Sequence, residues 1–202
     1  MLDEAETGRL FMIPDGSSVW ALIVREHGEA PAGLNVMSNN PFLAEHENAS
    51  VIVYSEVEGA SLHGEALYIR RLMLAPDAPD RLATVAFGQM AISAYRRGFR
   101  HIMLYAAGNG PLDRSDPHGL VGFNVWPKFG FDAVLSPAEL NAASPALRAC
   151  KTVQEVIATD PQWWPQHGRA RDMRFDLTPN SRSWTVLLNY LYHVLPLPEI
   201  ES

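Results

Sequence analysis

Two apolar runs joined by one amphipathic segment constrain this chain more than anything else in it. Leu67-Tyr-Ile-Arg-Arg-Leu-Met-Leu-Ala75 and His101-Ile-Met-Leu-Tyr-Ala106 have the length and apolar content of strands. Between them, Pro76-Asp-Ala-Pro-Asp80 reads as a turn, and a helical period follows to Arg97. Leu82, Val85, Ala86, Met90 and Ala94 recur at spacings of three or four, and Phe87, Ala91 and Tyr95 widen the stripe, so this helix is expected to lie against a sheet. Asp80 suits its N-cap, Arg96 and Arg97 complement the negative end of its dipole, and Gly98 suits a left-handed residue after it. Strand, helix and strand with short joints close as a right-handed βαβ unit with parallel strands.

The flanks are read around this unit. Phe11-Met-Ile and Val19 to Val24 predict two strands about the turn Pro14-Asp-Gly-Ser17, while Gly28 to Pro41 reads as loop. Ser50 to Ser55 predicts a strand, Glu58-Gly59 a turn, and Gly64 to Ala75 a long central strand buried on both faces. Past Gly130, Phe131 to Leu135 predicts a short strand. Pro137 to Gly168 reads as irregular helix, clearest over Thr152 to Ala158, with Trp163-Trp164 a packing anchor. Met173 to Leu177 predicts the last strand, and Ser181 or Ser183 caps a C-terminal helix carrying Trp184, Leu187, Leu188 and Leu191. The expected fold is α/β (α+β): one mixed sheet around a central parallel βαβ unit, helices on both faces, and a helical insertion before the last strand. All 202 residues form one domain, with divergent strands over 1–64, the core over 65–135 and the insertion, last strand and final helix over 136–202.

Composition narrows the function classes. With 47% hydrophobic and 19% charged residues the chain buries a real core. A net charge of −7 argues against general phosphate or nucleic-acid binding, although Arg70-Arg71 and Arg96-Arg97-Arg100 are local basic patches. The lone Cys150 reads as a small half-buried apolar side chain. The acidic start Met1-Leu-Asp-Glu-Ala-Glu is unlike a secretory signal, and no apolar run approaches the ~20 residues of a membrane span, so a cytoplasmic protein without membrane contact is the expectation.

The order of elements from Leu67 to Phe131 resembles the acyl-CoA site of the GNAT superfamily of N-acyltransferases. The family's phosphate loop is matched by Arg81-Leu-Ala-Thr84-Val-Ala86, in which Thr84 stands where the family has Gly. Its closing helix is matched by Gly122-Phe-Asn-Val-Trp126-Pro-Lys-Phe-Gly130-Phe131, in which Trp126 stands where the family has Tyr, and Pro127 shortens the helix. The resemblance implies a single GNAT-like domain that takes acetyl-CoA as co-substrate and acylates an amine of a protein, peptide or small molecule. Met73, Leu74 and Ala75 would line the pantetheine arm with a donor for the oxyanion, and Arg81, Thr84, Val85, Ala86, Asn109 and Trp126 would meet the rest of the cofactor. For the base it points to the loop Leu112 to Gly119, where His118 exchanges a proton near neutral pH, with Tyr68 and Glu65 as second choices. No metal site is implied: Asp113, Asp116 and His118 lack a recurrent ligand spacing. Thr84 and Trp126 each replace a family feature tied to chemistry, which keeps a catalytically inactive binding or regulatory module as the alternative. A homodimer is left open, as is delivery as an effector.

Overall fold

The computed structural model describes residues 3–58, 61–113 and 119–195, with backbone alone at 56–58 and 61–64. Six strands form one mixed sheet: β1 (Ser18–Val24), β2 (Gly33–Asn39), β3 (Ala49–Glu58), β4 (Ser61–Arg71), β5 (His101–Ala106) and β6 (Arg171–Asp176) lie side by side in chain order. Neighbours are antiparallel except β4 and β5, which run parallel. That exception is enforced by the crossover through α2 (Leu82–Arg96), because strands joined through a packed helix enter the sheet in the same direction. The mixed α/β class with a central parallel βαβ unit is therefore present.

The core lies on one face of the sheet. Leu67 and Ile69 of β4, Ile102 and Leu104 of β5 and Met173 and Phe175 of β6 pack under α2, whose Phe87, Met90, Ala91 and Ala94 are fully buried. Leu10 and Phe11 from α1 (Glu4–Phe11) and Leu187 from α7 (Arg182–Val194) join the same cluster. Phe87 is its hub, with the rings of Phe129, Phe131 and Phe175 centred 5.5, 5.1 and 5.4 Å away. Gly98 takes the left-handed conformation (φ 80°) that ends α2.

The opposite face carries a small cluster of Ala30, Ile52 and Tyr68 with Val24, Tyr54 and Met103 against it. All belong to strands or to the β1–β2 connection, so the expectation of helices on both faces is corrected. Between Val24 and Gly33 the chain is taken up by a tight turn at Gly28 (φ 60°), which folds the connection back on the sheet through the His27–Ala30 bridge and leaves no helix there.

Other expectations also change. Phe11 ends α1 and is not part of a strand; Asp3 caps that helix by accepting from the Glu6 N–H, and Met12 closes it at φ 54°. Residues 33–39, read as loop, form β2, which buries the polar Asn35 and Ser38 within the strand and so breaks the apolar alternation. The N-cap of α2 is Arg81 and not Asp80. Phe131 to Leu135 contributes only two isolated bridges, Asp132–Arg174 along β6 and Val134–Thr152. After β5 come the short α3 (Gly122–Val125) and, before β6, α4 (Pro145–Arg148), α5 (Val153–Thr159) and α6 (Trp163–His167), with Trp164 buried and its indole N–H donated to the Phe123 carbonyl at 2.9 Å. Ser181 caps α7 by accepting from the Trp184 N–H.

Candidate active site

The parallel pair β4 and β5 parts abruptly. Leu67, Tyr68 and Ile69 face Ile102, Met103 and Leu104, and there the pairing stops. The cause lies on the other edge of β4: Ser50 opposes Arg71 while Val51 opposes Ile69, so Arg70 is an extra residue, a bulge that turns the strand away from β5. β5 continues straight, with Tyr105 and Ala106 in register with Asp172 and Arg171 of β6.

Beyond the bulge, the chain finds a different partner. The Met73 carbonyl accepts from the Ala44 N–H at 2.9 Å and the Ala75 N–H donates to the Phe42 carbonyl at 2.8 Å. Ala75 is thus already engaged and is removed as an oxyanion donor. Because successive residues of an extended chain face opposite edges, the N–H and C=O of Leu74 point the other way, toward the gap left by β5. Among the described residues, neither group has a hydrogen-bond partner. The slot therefore has an open backbone edge at Leu74, flanked by Met73, which is 39% exposed.

The N-terminus of α2 follows. Arg81 sits in the left-handed region at φ 66°, a conformation that costs a non-glycine residue roughly 1–3 kcal/mol and is retained where the surroundings enforce it. Its guanidinium is exposed and has no hydrogen bond or ion pair among the described residues. Thr84 lies three residues before Phe87 on the core stripe and is buried at 5% exposure, whereas Val85 faces out at 40% and Ala86 is half-buried. The side chain of Thr84 is therefore covered by protein.

On the face opposite the helices, Tyr68 marks the point where the strands part. Burial pushes its phenol up to about 12; the carboxylates of Asp172 and Glu29 add to the rise, and a hydrogen bond from the Tyr105 backbone N–H and the charge of Arg70 pull the other way. A phenol raised in this way holds its proton at neutral pH, which argues against Tyr68 as the base. Asp172, directly across from Tyr105, also has a raised pKa, first from burial and then from Glu29. Met103 and Asp172 border a cavity of about 580 Å³ that runs along β6 past Asp132, Arg174 and Arg182. Glu29 and Asp172 were not singled out in the sequence. The signal for Asp172 was its place in the alternating Arg171-Asp-Met-Arg-Phe-Asp176; Glu29 left none, since it arrives through a non-local turn.

The remaining expected residues separate. Asn109 accepts from the Ala170 N–H at 3.0 Å, so its carbonyl oxygen holds the chain entering β6. Trp126 is half-buried and engaged by Phe87, Phe129 and Phe131 at 6.1, 5.7 and 5.4 Å, which makes it a wall of the core. Glu65 is exposed four residues before Ile69, roughly 13 Å from the parting point at 3.3 Å per residue, and its carbonyl accepts from the Arg100 N–H. Glu65 therefore stands apart from the slot. His118 and Asp116 lie outside the described residues. Among the described residues no cluster of three or more His, Cys, Asp or Glu forms a metal site, and no helix is long and apolar enough to cross a membrane.

The fold and slot define a mixed α/β protein whose central parallel strands open beside a helix N-terminus. No protein-family model, curated protein or solved structure matches this chain.

Proposed function

We propose that this chain is an acyl-CoA-dependent N-acyltransferase of the GNAT type, with acetyl-CoA as the acyl donor and an amine of a small molecule, peptide or protein as acceptor. The observation that carries the reading is the unpartnered edge at Leu74 where β4 bends away from β5. An amide-rich pantetheine arm pairs with such an edge as an added strand would, and Arg81 with the first turn of α2 stands where a pyrophosphate needs positive charge. The acceptor would enter from the Tyr68 face, where Asp172 is the carboxylate available to take the proton from its ammonium. The free amine then attacks the thioester carbonyl and the Leu74 N–H meets the developing oxyanion; as the C–S bond breaks, the second proton shed by the nitrogen passes to the departing sulfur, leaving an amide and a free thiol. Tyr68, with its pKa raised to about 12, hydrogen-bonds to that sulfur as it departs and keeps its own proton.

One observation favours the catalytically inactive binding module. Trp126, at the position of the family's general acid, is held in the aromatic core, and an indole N–H donates a hydrogen bond but no proton. The deciding experiment is mass spectrometry of a panel of amines and lysine peptides incubated with the protein and acetyl-CoA. A mass increase of one acetyl group that disappears in Asp172→Asn supports the enzyme. Acetyl-CoA binding with no acylated product supports the module.

A further inference from the structure

β1 closes one edge of the sheet, and its seven residues, Ser-Val-Trp-Ala-Leu-Ile-Val, include no charge and no proline. Edge strands in natural proteins use just these residues to block pairing with another chain. The side chains of β1 also lie open on both faces. Val19 and Ile23, 49% and 77% exposed, share the face that carries the helices, and Trp20 and Leu22, 39% and 43% exposed, share the other. Leu34, in register with Ile23 and 40% exposed, extends the first patch.

We propose that β1 pairs with β1 of a second copy of this chain, antiparallel about a two-fold axis at Ala21, so that the sheet continues through both subunits. The occupant follows from the pattern of the strand. In that register Val19 meets Ile23 of the partner subunit on one face, Trp20 meets Leu22 of the partner subunit on the other, and Ala21 meets its own copy on the axis. Every exposed apolar side chain of the strand faces an apolar partner, as an isologous interface requires. At the flanks, the register about Ala21 sets the exposed Asp15 diagonally across from the exposed Arg25 of the partner subunit on one face, while Glu26 falls opposite Gly16 of the partner subunit and meets no acidic group there.

The test is sedimentation equilibrium of the whole chain. The expected species has twice the 22.4 kDa mass of the monomer. Ile23→Lys converts it to monomer. Adding Val19→Glu in the same chain restores the dimer, because the two introduced charges then face each other across the axis. Both positions are exposed in the single chain, so the far-ultraviolet circular dichroism of all three proteins stays the same. A wild-type chain that is monomeric at every concentration overturns the proposal, as does a dimer that survives Ile23→Lys or a double variant that stays monomeric.

Discussion

Replacing Phe87 with alanine removes the ring on which the central helix is seated. The side chain is 0% exposed, stacks on Phe129 at 5.5 Å with an interplanar angle of 11°, and meets Trp126, Phe131 and Phe175 at 6.1, 5.1 and 5.4 Å. Burial and cavity formation set the cost of such a truncation at about 3–5 kcal/mol. Each aromatic pair adds up to ~1.5 kcal/mol beyond burial, so four lost pairings place Phe87→Ala at the upper end of that range, near 5 kcal/mol. A domain of ordinary stability holds roughly 5–15 kcal/mol in all, so the variant should be close to its unfolding threshold at room temperature. Phe87→Leu fills most of the cavity but loses the same four ring contacts, so its cost should be smaller than that of Phe87→Ala without vanishing. Urea unfolding followed by tryptophan fluorescence measures both, since Trp126 and Trp184 lie in or beside the cluster. A loss below about 2 kcal/mol for Phe87→Ala, with the slope of the transition unchanged, would refute Phe87 as the hub.

Three further outcomes follow from the same geometry. Because burial and two carboxylates raise the Tyr68 phenol to about 12, the unfolded chain ionises it near 10 and the folded chain does not; its contribution is complete below pH 10 and is lost as pH rises to 12. Tyr68→Phe should flatten that part of the stability curve, as thermal melts across alkaline buffers would show. Asp172 binds its proton more tightly when folded, so stability falls as pH rises through its raised pKa. Asp172→Asn should therefore melt higher than wild type at neutral pH, and the advantage should vanish in acid. Gly130 ends the Trp126–Phe129 3₁₀ turn at φ 93°, and a Cβ there would collide with the Ser183 carbonyl oxygen, so Gly130→Ala should lower stability by more than about 2 kcal/mol in the same urea assay.

The part of the fold legible in the sequence was the part in which local pattern and tertiary role coincide. Residues 66–69 of β4 are buried in one apolar run, and α2 and β5 bury apolar residues at regular spacing, so their pattern survives in the chain. β2 hid because Asn35 and Ser38 are 1% exposed polar residues inside a strand; only the sheet supplies Asn35 with the Ser50 hydroxyl, at 2.7 Å. α1 hid because it is short and ends in Phe11-Met12, although Asp3 with Glu6 three residues on was a readable start signal.

The candidate site was legible only as far as its backbone. The parallel β4–α2–β5 unit is readable in the chain and present among the described residues, whereas the parting of its strands comes from the bulge at Arg70, which no local pattern announces. Its side chains were less readable. Ala75 and Asn109 are engaged by contacts with Phe42 and Ala170, partners distant in sequence. Asp172 and Glu29 reach Tyr68 from a strand more than one hundred residues later and from the β1–β2 connection folded over the same face, and no local spacing records either approach.

The most direct test of the slot is calorimetric titration of the whole chain with acetyl-CoA, paired with thermal unfolding. The account predicts saturable one-to-one binding and, at a ligand concentration one hundred times Kd, a stabilisation of about 2.7 kcal/mol. Arg81→Glu should weaken that binding while leaving the unliganded melting temperature nearly unchanged, since the side chain is exposed. The absence of both heat and a melting shift at millimolar acetyl-CoA would contradict it.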